Sequence, residues 1–232
     1  MNIFVTMKTT AEIIKRLKKE GNPEIVEARK NFGIEGSEGF GLSQPQIRSI
    51  AKEIGKNQDL ALELWKTGYH EARHIATLIA DKKLITDQLM DKWLKDFNSW
   101  DIVDACCSNY FRYSPNAYIK AIEWTNRKKE FEKRAGFSLM CYLACHDKKA
   151  EDAQFEQFFP YIYKESDDER NFVKKAVNWA LRQIGKRNVR LCKKSINLAY
   201  EIKAKDDKAS RWIASGVLRE LESYLAEGKI KA

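Results

Sequence analysis

Trp100 and Asp104 stand four residues apart in FNSWDIVDACCSNYF, Phe97 to Phe111. On an α-helix that spacing projects an indole and a carboxylate about 40° apart on one side, while Ile102, Val103, Cys106 and Tyr110 make the apolar side. Two readings are open: Asp101 compensates the helix start and Asp104 is a solvated surface acid, or the segment sets an anionic group beside an aromatic wall. A ring and an acid that leave the core together are candidates for stabilising positive charge on a bound molecule.

A second constellation lies in RNFVKKAVNWALRQIGKRNVRLCKK, Arg170 to Lys194, which holds nine Lys or Arg and no Asp or Glu. The net charge of the chain is +9, so the rest is balanced and the excess is local. On a helix Val173, Val177, Ala180, Leu181 and Ile184 share one stripe, and Trp179 points away from it beside Lys175, Arg182 and Lys186. A basic run alone is as compatible with a solvated face as with a ligand. A tryptophan off the apolar stripe and among cations is the arrangement expected of a ring offered to a sugar or base while Lys and Arg hold phosphates. A third segment, EFEKRAGFSLMCYLAC, sets Arg134 opposite Phe137, Met140 and Leu143, accompanied by Ser138, Cys141 and Cys145. Those small neighbours leave room for another chain to approach, or Arg134 pairs with an acid or a helix end.

The elements that must position these residues are helical throughout. At 232 residues, 44% hydrophobic and with four prolines, the chain can bury a core without disulfides or metals. Helical period runs through nearly every segment and strand-like alternation is absent. Candidate helices cover 9–20, 23–31, 43–54, 59–67, 70–80, 86–97, 100–113, 115–126, 130–145, 152–163, 168–185, 188–204 and 207–226. A dozen short helices on short links predict a single all-α domain over 1–232, a curved α-solenoid of stacked antiparallel HEAT-like pairs, with a compact bundle as the alternative. Within it, 1–31 are N-terminal helices, 32–42 a flexible glycine-rich link carrying FGIEGSEGFG, and 43–226 the helical repeats.

Five cysteines without paired CxxC units fit neither a disulfide framework nor a zinc site, so no metal or cofactor is expected and a reducing cytoplasm fits best. His70 and His74, one turn apart, are read as surface or packing residues. No segment approaches the length of a membrane span, and the N-terminal residues lack a signal-peptide core, so a soluble chain is expected.

WDIVD, EKRAGF and FVKKAVNWALRQIGKRN, in this order on an all-α chain, resemble the AlkD-type DNA alkylation repair enzymes, HEAT-like-repeat glycosylases that release N3- and N7-alkylated purines. The resemblance runs from about Phe32 to Arg219. It implies that Trp100 and Trp179 flank the deoxyribose of the lesion, that Asp104 is the catalytic carboxylate, and that Arg134 grips the nearby backbone. It further implies that Lys175, Arg182, Lys186 and Arg187 lie on phosphates of duplex DNA held by its backbone, without flipping of the base into a protein pocket. The family contributes a tyrosine from its N-terminal helices, where this chain offers Phe32 and no hydroxyl. HDKKAEDAQFEQFF is longer than the family's equivalent connection, which implies a side branch.

An alkylated purine is already cationic and leaves as a neutral base without a general acid. What then needs stabilising is the positive charge growing on the sugar, which a carboxylate at Asp104 and the faces of Trp100 and Trp179 would supply. The expected protein is thus a monomeric glycosylase acting in base excision repair on duplex DNA. The competing expectation is a non-catalytic HEAT-like scaffold that binds nucleic acid backbone or an acidic protein.

Overall fold

The structure is a computed structural model that describes residues 9–34 and 38–230, all of them helical or in short connections, with no strand among them. It divides into two compact units, one up to Ser114 and one from Pro115.

The first unit contains α1 (Thr10–Glu20), α2 (Pro23–Lys30), α3 (Gln44–Ile54), α4 (Gln58–Lys66), α5 (His70–Ile79), α6 (Asp87–Lys95) and α7 (Trp100–Asn109). A first helical turn leaves backbone N–H groups unsatisfied, and here side chains take them up. Thr9 and Glu12 form a reciprocal capping box at α1, and Asn22, Asn57 and Thr86 cap α2, α4 and α6. α5 is the central element, packed by α3, α4 and α7 and buried from His70 to Ile79 except for Arg73 and Leu78. A second cluster is aromatic: the Trp65 and Trp93 rings stack 4.1 Å apart, Trp65 donates its indole N–H to Asp96 at 2.8 Å, and Phe97, Tyr110 and Phe111 close around Trp93 and Trp65.

The second unit contains α8 (Ala117–Thr125), α9 (Glu130–His146), α10 (Asp152–Glu156), α11 (Phe159–Lys164), α12 (Asn171–Gly185), α13 (Val189–Lys203) and α14 (Lys208–Ala226). Here α9 is central, with α8 on one side and α12 on the other, while α12, α13 and α14 pack on one another. The α8–α9 approach depends on Gly136: a Cβ there would lie 2.7 Å from the Ala121 carbonyl oxygen and 2.9 Å from the Thr125 nitrogen. Backbone atoms cannot yield as a flexible side chain would, so only glycine fits that crossing.

Three expectations change. The helix expected over 152–163 is broken after Glu156, because Pro160 has no N–H to give the Glu156 carbonyl; the chain restarts as α11 with the proline in its first turn. The helix expected over 100–113 ends at Asn109 and continues as a 3₁₀ turn, Phe111–Tyr113. The glycine-rich link is not loose where it is described. Glu71, fully buried on α5, accepts hydrogen bonds from the backbone N–H groups of Phe40 (2.9 Å), Gly41 (2.8 Å) and Leu42 (3.2 Å) and from the Arg29 guanidinium at 2.7 Å. The Glu38 backbone carbonyl accepts from the His70 backbone N–H at 2.8 Å, at the start of the same helix. Residues 35–37 of the link lie outside the described residues.

Candidate nucleic-acid interface

α7 separates its faces as the spacing requires. Ile102, Val103, Cys106 and Tyr110 are fully buried, and Cys107 joins them, while Trp100 and Asp104 are half-buried at the unit's surface. The indole is held in place: Trp100 Nε1 donates to the Phe32 carbonyl oxygen at 2.9 Å. Phe32 itself is 67% exposed, and its ring lacks the hydroxyl of the expected tyrosine.

The start of α7 is fixed from behind. Asp101 Oδ1 accepts from the Ser99 hydroxyl at 2.7 Å and from the Ile102 N–H at 3.0 Å, while Oδ2 faces His70 Nε2 at 2.8 Å and His74 Nε2 at 3.2 Å. Burial opposes the charge on Asp101, yet the two imidazoles hold its carboxyl far below the usual range. Burial pushes the His74 imidazole down and outweighs the carboxylate beside it. These histidines are neither on the surface nor simple packing: they clamp the acid from which α7 begins. Their ligand atoms and that of Asp101 lie within 4.8 Å of one another, the one grouping with metal-like spacing among the described residues. Both ring nitrogens are directed at a single carboxylate oxygen, which a hydrogen-bonded clamp explains.

In the second unit Trp179 stands off the core as expected. Val173, Val177, Ala180, Leu181 and Ile184 are fully buried, whereas Trp179 is half-buried and meets the ring of Tyr142 edge-on, with centroids 5.3 Å apart and planes at 83°. Tyr142 was not singled out from the sequence; its signal was the spacing Arg134, Ser138, Tyr142 down one side of α9.

The cations divide into two groups. Lys174 and Lys175 have no carboxylate in ion-pair range among the described residues; Lys175 is exposed, 6.0 Å from the Phe172 ring. Lys193 is likewise exposed with no carboxylate in ion-pair range among the described residues, and the remaining cations are already engaged, several of them by acids from outside the run. Arg182 and Lys186 both form ion pairs with Glu220 of α14, Arg170 pairs with Asp168, and Arg190 and Lys194 share Glu156. Burial opposes the charge on Glu220, and the two cations hold its carboxyl below the usual value.

Arg134 and Arg187, both expected on DNA, are engaged by backbone carbonyls of their own unit. Arg187 donates to the carbonyls of Ala144 (2.7 Å) and Ala150 (3.2 Å) with its guanidinium 3.8 Å from the Phe155 ring centre, so it ties down the chain leaving α9. Arg134 is only 5% exposed and donates to the Phe172 carbonyl at 2.9 Å. The small residues beside it do not open a surface: Ser138 and Cys141 are fully buried under α12. α9 carries apolar or small residues on every side, and such a helix is enclosed by its neighbours.

Residues 13–215 match the family model described as DNA alkylation repair enzyme. The chain belongs to that family. A search of curated proteins gives no match. Among solved structures, this repair-family chain is similar to a protein described as one of "a new family of proteins related to the HEAT-like repeat DNA glycosylases with affinity for branched DNA structures", with TM-score 0.78, 22% identity and 96% of each chain covered. The likeness gives the fold, all-α and HEAT-like. Among the described residues no helix is long and apolar enough to cross a membrane.

Proposed function

We propose that this DNA alkylation repair family member is a DNA glycosylase that hydrolyses the N-glycosidic bond of cationic N3- or N7-alkylated purines in duplex DNA. The observation that carries the reading is the surface of α7, where a carboxylate and an indole stand one turn apart outside the core. The clamp on Asp101 and the carbonyl of Phe32 reduce the reorganisation these groups would need on binding. Asp104 stabilises an oxocarbenium-like sugar and orients water towards it, and Trp100 lends its ring face to that developing cation, a role that the family resemblance gives to Trp179 as well. The departing purine takes the bonding electrons, which neutralises its positive charge, so no protonated side chain is required. Lys175, with Arg182 and Lys186 once Glu220 yields them, holds phosphates without reading sequence.

The test is release of 7-methylguanine or 3-methyladenine from methylated duplex DNA by the purified protein and by Asp104→Asn. Wild type should release base, and the variant should fall to background while still binding duplex. Equal release by the two would refute the assignment of Asp104. A second reading, DNA binding without hydrolysis, draws on the branched-DNA affinity described for the similar structure. It predicts no base release by either protein and binding indifferent to Asp104.

A further inference from the structure

α12 and α14 leave between them a groove of about 510 Å³, whose lining includes Arg182, Arg211, Trp212, Ser215 and Arg219. Its floor is closed by contact between helices. The buried Asn178 amide donates to the Ile213 carbonyl at 2.8 Å, and a Cβ at Gly216 would lie 2.7 Å from that amide nitrogen, so glycine there lets α14 settle against it.

The outward side of α14 is unusual for a helix that buries Ile213, Val217 and Leu221. Trp212, Ser215 and Arg219, spaced i, i+3, i+7, share the opposite face, and all three are exposed. Trp212 is 45% exposed, and Lys174 of α12 holds its ammonium 5.5 Å from the indole centroid. Arg211 is oriented by Asp206, through the backbone carbonyl at 2.7 Å and the carboxylate at 2.6 Å. The groove thus combines one accessible aromatic face with cations from both helices, against Glu220 and Asp206.

We propose that this groove binds an unpaired nucleotide of single-stranded DNA, with its base stacked on Trp212 and its flanking phosphates at Arg211 and Arg219. The inference rests on the reading of α12 as a DNA-facing helix and extends it. An aromatic face takes any unstacked base and cannot take one enclosed in a duplex, so the indole selects single-stranded segments, as found at a fork, flap or gap. A groove of this volume falls within the range of sites that enclose a small ligand.

Fluorescence anisotropy with a labelled oligothymidylate tests the proposal, and a duplex of equal length is the comparison. Trp212→Ala should lose about tenfold in affinity for the single strand and little for the duplex, and Trp212→Phe should retain most of the affinity because a ring remains. Arg219→Glu should weaken binding and flatten its salt dependence. Base release from methylated duplex should be unchanged in Trp212→Ala, whereas Asp104→Asn should lose release and keep oligothymidylate binding. Failure of the groove is therefore distinguishable from failure of the glycosylase reading. Wild-type affinity in Trp212→Ala, equal losses on single strand and duplex, or stronger binding of oligouridylate than of oligothymidylate would each overturn the proposal.

Discussion

Replacing Glu71 by glutamine probes how the first unit holds the approach to Trp100. The glutamate side chain is completely enclosed, and its two oxygens divide four donors unequally. Oε1 takes the Gly41 and Leu42 N–H groups and the Arg29 guanidinium, and Oε2 takes the Phe40 N–H. A glutamine whose oxygen occupies the Oε1 place keeps three partners but turns an NH₂ group towards the Phe40 N–H. One buried donor is then orphaned, at about 1–3 kcal/mol. Arg29, 15% exposed at its side chain, also loses its counter-charge; breaking a buried pair costs about 3–5 kcal/mol, and this arginine's partial access to water puts its share towards the lower end. The two penalties share one group and do not add, so the expected loss is about 3 kcal/mol, and more for Glu71→Ala. For a chain of this size that lowers Tm by about 6–12 °C. Denaturant titration followed by tryptophan fluorescence, with Trp65 and Trp93 stacked in the same unit, reads the change.

The pH dependence gives an independent check. Burial raises the Glu71 carboxyl, but the Phe40 N–H and Arg29 outweigh it, and the net direction is below its ordinary value of 4.5. The folded state thus binds the proton less well than the unfolded state. Its contribution is complete above about pH 4.5 and is lost as pH falls below that value, and Glu71→Gln should lack this part of the acid limb. A loss below about 1 kcal/mol with an unchanged acid limb would show that the link is held by other contacts.

Two further outcomes follow from the second unit. Glu220→Gln releases Arg182 and Lys186, so duplex binding should tighten at low salt, and the slope of log K against log salt should steepen by about 1–2, which salt titration measures. An unchanged slope would mean that those two cations do not reach phosphates. Cys145 is hydrogen-bonded by Cys141, which, with Lys148, Lys186 and Arg187 and against the effect of burial, brings its thiol down to about 7; the other four cysteines are buried. Iodoacetamide should therefore modify Cys145 first, with a rate that rises to half its maximum near pH 7. Peptide mapping that found Cys106 or Cys192 labelled earlier would refute this ordering.

The fold was legible because its signals are local. Cap residues and helical period located almost every helix, and the miss at 152–163 turned on Pro160, whose effect as an interruption or a first-turn residue depends on where the next helix starts. The outward turn of Trp100, Asp104 and Trp179 was legible for the same reason, since a helical wheel uses only neighbouring residues. What the chain hid was partnership across distance. Glu220 lies 38 residues from Arg182, and Glu71 lies 31 residues from Phe40, so neither the neutralised cations nor the pinned glycines had a nearby clue. Around Arg134 the expectation of open space was misplaced: Ser138 and Cys141 are buried inside the unit, and the guanidinium reaches the start of α12 at the Phe172 carbonyl, 38 residues away.

Glu220 also changes what a polyanion meets on α12. Its carboxylate is an intramolecular competitor, present at the high effective concentration of a group on the same rigid scaffold. A phosphate that samples the surface briefly has to displace that carboxylate, and one isolated contact gives little reason for the exchange. A strand engaged at Lys175 and along α12 brings several phosphates together and tips it. On the proposed reading of α12 as a DNA-facing helix, it would discriminate by the number of simultaneous contacts, resisting casual adhesion to nucleic acid and yielding its full charge to a ligand already aligned.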